Sequence, residues 1–430
     1  MKEQRMEIKL SRKDFIANYP HFRYWKKNAA EDMLAEEPVN IYIHIPFCIQ
    51  KCAFCYYRTE KFKNVHELDD YVNAVCREIE MANRKFHFKE RPVNTVYIGG
   101  GTPTLLKEDM LERLVQCLRD NFHFEEPEFT LEAEPRTITA KRVAAYKGLG
   151  VNRISIGVQS FHDEIIQLSE RHHTGQKALQ AIDIVKNTGD IVINIDLLSG
   201  LAGETNETFA TSLDTAINSG THSITVYRME VYLNTEFFKQ SVRRKLVQLP
   251  SEEQELEFMR VAMDKFEAAD YKPWSFFTYT RKGDFAHQYA VNIWKGQDLC
   301  AFGSSSFGML GNYNYQNAND LNSYMEMVNE KKLPIIRGYR ITHKDHMIKD
   351  LLLGMKLSRL SRRDYLHRHG IDFCQVLPET VEELRADGFI LVDDEAVTLD
   401  RKGLLYGDYV GKRLAYALKE YLGLDELKLY

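Results

Sequence analysis

The chain has 430 residues, 44% hydrophobic and 28% charged, with 57 lysines and arginines against 62 aspartates and glutamates. Those proportions describe a globular protein with chain enough for a large core, and exclude a collagen, a coiled coil, a disulfide scaffold and a disordered chain. The net charge of −5 gives no electrostatic case for nucleic acid or an anionic membrane as principal partner. No apolar run is long enough to span a bilayer, and the opening MKEQRMEIKLSRKDF lacks the apolar stretch of a signal peptide, so a cytoplasmic protein is expected.

Residues 1–38 read as an N-terminal extension, with an aromatic-rich stretch at 19–25 that would cover part of the fold. Alternation follows. Strands are expected at 39–47, 94–101, 128–135, 152–160, 190–200 and 222–231, each a largely apolar run ending in glycine, proline or polar residues. Helices are expected between them at 68–84, 109–118, 142–149, 163–169, 176–187 and 206–218. Six strands alternating with helices imply a βα-repeated parallel sheet. Beyond it, 251–268 reads as a helix and 272–281 as one strand. Helices at 343–357, 362–369 and 378–385, a hairpin at 387–403 and a helix at 404–421 make a winged-helix-like unit. The acidic residues Asp387, Asp393, Asp394, Glu395 and Asp400 in and around that hairpin argue against phosphate contact and for a lid or packing domain.

Three of the seven cysteines fall within eight residues, as Cys48-x-x-x-Cys52-x-x-Cys55, directly after the first strand. Clustered thiols in a reducing compartment point to metal or redox chemistry. Three thiolates can hold three irons of a [4Fe–4S] cluster and leave the fourth iron open to a ligand. A tetrahedral zinc site would need a fourth donor, for which His66 is the nearest downstream candidate at a spacing that fits no finger pattern. Cys76, Cys117, Cys300 and Cys374 are scattered and read as structural.

With this motif, YIHIPFC (42–48), YIGGGTPT (97–104), RISIGVQSF (153–161), RHHT (171–174) and NIDLLSGLAGET (194–205) resemble the radical S-adenosylmethionine (SAM) superfamily. Within it they resemble the oxygen-independent coproporphyrinogen III oxidase-like group, over about residues 39–405. That group includes the oxidase, haem chaperones, anaerobic haem-degrading enzymes, and methylases and cyclopropanases. The resemblance implies an α/β fold with a partial (β/α)6 barrel and the cluster where strand C-termini converge. The expected organisation is an extension (1–38), a radical SAM core (39–235), a segment completing the barrel and covering the substrate (236–338), and the C-terminal helical domain (339–430).

The resemblance also implies roles. Cys48, Cys52 and Cys55 would ligate the cluster. Gly100, Gly101 and Thr102 would approach SAM closely, glycine allowing it, with Tyr42 hydrogen-bonding nearby. Glu132 would bind the SAM amino or ribose group, and Gln159 and Arg171 its ribose and carboxylate, for which the arginine fork is suited. Asp196, a carboxylate within an apolar strand that needs a partner, would bind ribose or substrate, and Gly200 and Ala202 would line the adenine side. A low-potential carrier such as flavodoxin or ferredoxin would supply an electron, and the radical formed from SAM would act on a tetrapyrrole or another large conjugated small molecule.

Departures bear on the substrate. Glu134 stands where the group has Asn or Asp, and Tyr57 where the true oxidase has a fourth cysteine. The His-Asn-x-x-Tyr-Trp element of the haem chaperones aligns with 289–294 without its histidine, His287 being displaced by two residues. Phe307 replaces the histidine of their Gly-Ala-His segment, at 305–307. The aromatics of 274–289, Phe276, Phe277 and Tyr279 among them, would wall a flat substrate or pack two domains together; Ser304–Ser306 would bind a polar substrate or form a turn. The alternatives are a methylase or cyclopropanase using a second SAM, and a haem chaperone without turnover.

Overall fold

The computed structural model describes residues 15–27, 33 and 38–429. The six expected strands form: β1 (Val39–Ile45), β2 (Val93–Gly100), β3 (Glu128–Ala133), β4 (Arg153–Gln159), β5 (Val192–Ser199) and β6 (Ser223–Arg228). Each is followed by helix, as in Val65–Phe86 after β1, where Asn64 caps the first turn by accepting from the Glu67 N–H. The helix Asn206–Asn218 opens on a capping box between Thr205 and Thr208.

The sheet is larger than the sequence pattern indicates. The stretch expected as one strand at 272–281 is two antiparallel strands, β7 (Tyr271–Ser275) and β8 (Thr278–Arg281). The turn between them is Phe276–Phe277, held by the Ser275 hydroxyl, which accepts from the backbone N–H groups of Phe277 (3.4 Å) and Thr278 (3.0 Å). A turn built by a serine side chain and two aromatics, Phe277 buried and Phe276 half-buried, carries none of the usual glycine or proline marks. Four more strands follow: β9 (Leu299–Phe302), β10 (Phe307–Leu310), β11 (Tyr313–Asn317) and β12 (Ile335–Arg340). Among the described residues the order is β12-β11-β10-β9-β1-β2-β3-β4-β5-β6-β8-β7. The seven strands from β9 to β6 are parallel, and the others are antiparallel extensions at each side. Residues 236–338 therefore contribute to the same sheet as the preceding chain.

The two faces of the parallel strands differ in kind. Ile41, Ile43 and Ile45 of β1, Val96 and Ile98 of β2, Ile154 and Ile156 of β4 and Ile193 and Ile195 of β5 are fully buried. They pack with helix residues such as Val72, Leu114 and Ile182 in one large cluster. The alternate positions carry Asn40, Tyr42, Tyr97, Thr130, Glu132, Ser155, Asn194, Asp196 and Thr225. Period-two alternation sends these residues to the opposite face. They satisfy one another there: Thr95 donates to Asn40 Oδ1 at 2.7 Å and Thr225 to Asn194 Oδ1 at 3.1 Å.

The C-terminal region has a core of its own, built from residues such as Leu351, Phe373, Leu384, Val410 and Leu414. Its wing is three-stranded rather than a hairpin, because Arg359–Ser361 (β13) pairs with Ala396–Leu399 (β15), which also pairs with Ile390–Val392 (β14). The extension joins both regions. Ile16 and Tyr19 are buried in the C-terminal core, while Phe22 stacks on Phe307 (centroids 4.8 Å) and Trp25 meets the same ring edge-on. Residues 1–14, 28–32 and 34–37 of the expected extension lie outside the described residues. No helix among the described residues is long and apolar enough to cross a membrane.

Candidate active site

The C-terminal ends of β1 to β6 open on one cavity of about 460 Å³. The loop after β1 carries Cys48, Cys52 and Cys55 into it, all free and half-buried. This loop is held by backbone hydrogen bonds on every side: Glu60 N–H to Pro46 O (2.8 Å), Phe62 N–H to Cys48 O (2.8 Å), Cys55 N–H to Cys52 O (3.0 Å) and Ala53 N–H to Ser169 O (3.0 Å). Two cavity side chains donate to its sulfurs, Thr102 Oγ1 to Cys48 Sγ at 3.7 Å and Arg171 Nη1 to Cys52 Sγ at 3.5 Å. Burial pushes the Cys48 thiol up to about 11 and raises Cys55 as well. Among the described residues no group of three or more His, Cys, Asp or Glu side chains converges on a single metal position. The thiols line the cavity without His66.

The glycine loop after β2 is stitched to the cysteine loop. Gly101 N–H donates to Ile45 O (2.7 Å) and Thr102 N–H to Phe47 O (2.8 Å). A Cβ at Gly101 would sit 2.5 Å from the Phe47 carbonyl oxygen, and one at Gly100 (φ +113°) would sit 2.6 Å from the His44 ring. Here glycine is a steric requirement.

Glu132, at the end of β3, accepts from the Gly100 N–H (2.8 Å) and from the Tyr97 hydroxyl. Asp196, on β5, accepts from Ser155 Oγ and Asn194 Nδ2, both at 2.9 Å. Burial pushes Glu132 up to about 7 and Asp196 up to about 6, against hydrogen bonds that favour the ionised forms. Gln159 lines the cavity from a left-handed backbone (φ +69°), a costly conformation for a non-glycine residue. Arg171 is fixed by its bond to Gly157 O (2.6 Å) and forms no ion pair among the described residues. Glu134 also lines the cavity and caps the following turn by accepting from the Arg136 N–H at 3.1 Å.

Three residues expected at the site do not line the cavity. Tyr42 lies below it, its hydroxyl 2.8 Å from His44 Nδ1 and its ring beside Tyr97 and Tyr289. Gly200 faces away, its N–H donating to Glu204 Oε2 at 2.7 Å. Ala202 is fully buried in a small apolar cluster with Ala53, Ile165 and Phe237. In both cases the turn after β5 folds back onto packing elements. Ser304–Ser306 form a turn, with Ser306 Oγ donating to Gly303 O. Tyr279 is buried against Phe266 at 4.4 Å.

Other cavity residues were not expected. Tyr227, Arg228, Met229 and Glu230 come from the end of β6, and Phe15 from the extension, where its N–H donates to Glu230 Oε1 at 3.1 Å. Phe276 and Phe277, read from the sequence as wall for a flat substrate or as packing between domains, do line the cavity, and 404–408 of the C-terminal region close its far side. There Asp408 pairs with the buried Lys356 at 2.7 Å, whose ammonium lies over the Phe15 and Phe276 rings. Tyr57, Tyr56 and Tyr232 form an aromatic rim beside the cysteine loop, Tyr56 stacked on Tyr57 (centroids 4.3 Å) and tilted against Tyr232 (4.4 Å). Sequence offered a signal for the β6 residues, since strand ends of a βα repeat converge. It offered none for Phe15 or Asp408, which reach the cavity only through tertiary packing.

Residues 42–216 match the radical SAM superfamily. The heme chaperone HemW of Bacillus subtilis is 28% identical over 372 residues, covering 86% of this chain and 97% of that protein. The oxygen-independent coproporphyrinogen III oxidase of Salmonella typhimurium is 28% identical over 389 residues, covering 86% of this chain and 84% of that protein. The structure of coproporphyrinogen III oxidase (HemN) from Escherichia coli superposes with a TM-score of 0.76 at 26% identity, covering 90% of this chain and 91% of that one.

Proposed function

Because this chain carries a radical SAM domain, we propose that it is an iron–sulfur enzyme that reductively cleaves SAM and acts on a tetrapyrrole or another large conjugated molecule. The observation that carries the reading is the convergence of three free thiols, an arginine without an ion-pair partner and two buried carboxylates on one aromatic-walled cavity. The reading brings with it a cytoplasmic site of action, where thiols stay reduced.

The donor set fits a [4Fe–4S] cluster: three thiols on one loop, with a hydroxyl and a guanidinium donating to their sulfurs. When bound, the cluster supplies one electron to SAM, whose cleavage yields methionine and a 5′-deoxyadenosyl radical that takes hydrogen from the substrate. Cys48, Cys52 and Cys55 would hold three irons. Since burial favours the protonated thiol at Cys48 and Cys55, loading must expel those protons. Arg171 presents free donors to a ligand carboxylate. Glu132 and Asp196 present negative charge to a cationic ligand group, which would draw both carboxyls back toward their ordinary range. Phe15, Tyr227, Phe276 and Phe277 exclude water and offer flat apolar surface to a conjugated substrate.

The test is anaerobic reconstitution followed by iron and sulfide counts and assay of 5′-deoxyadenosine with SAM and dithionite, beside Cys52→Ala. Four irons per chain, with product lost in the variant, support the reading; absence of a cluster overturns it. A second reading, a heme chaperone without turnover, draws on the relative whose length is covered almost completely. Against it, His287 is half-buried beside Tyr97 and Tyr289, with Nε2 3.2 Å from Thr130 Oγ1. Stoichiometric haem binding with no SAM consumption would favour the chaperone, and transfer of labelled SAM methyl carbon into product would favour a methylase or cyclopropanase.

A further inference from the structure

After β6 the chain runs along the outer side of the cysteine loop. Phe237 N–H donates to Ala53 O at 2.9 Å, and its ring lies 6.5 Å from that of Phe54. Asn234 Nδ2 donates to Tyr56 O at 2.9 Å, and Gln240 Nε2 to Glu170 Oε1 at 3.1 Å, beside Arg171. The segment then widens into a π-type turn over Lys239–Arg243, a geometry that is rare and concentrated at functional sites. Residues 237–250, FFKQSVRRKLVQLP, hold four cations and no carboxylate in a chain whose net charge is −5.

The tip of this segment is open to solvent. Val242, Arg243, Arg244, Lys245 and Leu246 are all exposed, Leu246 at 70% and Val242 at 56%. Nearby Leu233 is 74% exposed. Arg244 and Lys239 share Glu236, while Arg243 and Lys245 form no ion pair among the described residues. Exposed leucine and valine ringed by uncompensated cations are what a transient protein interface presents: an apolar centre with a charged rim that steers encounter.

We propose that 233–246 is the docking surface for an acidic one-electron carrier protein that reduces the cluster. The assignment rests on the radical SAM reading and names the partner of that site. Its chemistry is balanced: the reduced carrier loses one electron, the cluster gains one, and no bond forms or breaks between the proteins. The surface meets the cysteine loop through two hydrogen bonds, from Phe237 N–H to the carbonyl of Ala53, the residue that follows Cys52, and from Asn234 Nδ2 to the carbonyl of Tyr56, the residue that follows Cys55. That is a short covalent and hydrogen-bonded path from the basic turn to a cluster ligand.

The test compares the reconstituted wild-type enzyme with the triple variant Arg243→Glu, Arg244→Glu, Lys245→Glu. Reduced flavodoxin is the protein reductant, dithionite the small one, and flavodoxin affinity is measured separately by titration calorimetry. In the variant, flavodoxin-driven 5′-deoxyadenosine formation falls at least about tenfold at low salt, dithionite-driven formation stays within about twofold, and affinity weakens about tenfold or more. Raising ionic strength weakens the wild type toward the variant. Equal flavodoxin affinity in the two proteins overturns the proposal, as does an equal loss with both reductants. If the wild type makes no deoxyadenosine with either reductant, the enzymatic reading fails, and the affinity ratio still decides docking.

Discussion

The two faces of the parallel sheet are built from the same six strands and obey different rules. On the helix-covered face side chains such as Ile41, Ile98, Ile156 and Ile195 are apolar and fully buried, so each contributes through area removed from water, roughly 1.5–3 kcal/mol apiece. On the other face Asn40, Thr95, Ser155 and Asn194 are buried but polar, Asp196 is half-buried at the cavity, and each is held by hydrogen bonds to its neighbours. The first face sets how stable the protein is. The second is a network that fixes charged and polar groups beside the cavity, at little net gain to stability.

Substitutions break that comparison in order of effect. Cys52→Ala removes one of the three proposed cluster ligands, and SAM cleavage falls to background with iron content reduced, read by iron assay and deoxyadenosine yield. Ile156→Ala, on the apolar face, costs about 2–5 kcal/mol, seen as a lower urea midpoint. Asp196→Asn, on the polar face, moves that midpoint little and raises the KM for SAM roughly tenfold, the scale of one charged hydrogen bond. If the two variants exchanged these signatures, the division of labour between the faces would be wrong.

The smallest effect is a pH dependence. Buried Glu204 accepts from the N–H groups of Gly200 and Leu201, and burial raises it to about 8. Its folded value lies above its unfolded value of roughly 4.3. The stability it contributes is therefore complete below the unfolded value and is lost as pH rises through about 8. Glu204→Gln keeps an acceptor for the same N–H groups and should flatten the decline in urea midpoint between pH 5 and about 8.

The faces also differ in how far they can be read in advance. Runs such as NIYIHI and RISIGV mark β1 and β4 because an alternating β-branched series has one structural meaning. β10, β11 and β12 are short and hold Asn314, Gln316, Asn317 and Arg337, whose polarity hides the pattern. Gln316 and Asn317 are buried against partners from other strands and helices, Arg337 and Glu78 among them. The cysteines and the glycine loop are legible because they are contiguous motifs at strand ends. Gly200 and Ala202 sit at a strand end too, yet Glu204 and a small apolar cluster turn them away. Phe15 and Asp408 are separated by nearly the whole chain, so nothing local announces that they share a wall.

The backbone stitching of the cysteine loop bears on how its variants are read. Gly101 and Thr102 fasten the glycine loop to Ile45 and Phe47, while Glu60, Phe62 and Ala53 fasten the cysteine loop from its other sides. Every one of these bonds runs between backbone groups, so replacing a cysteine side chain removes none of them. A cysteine-to-alanine variant keeps the rim and loses only the sulfur, and its defect reports on the thiol rather than on the shape of the loop.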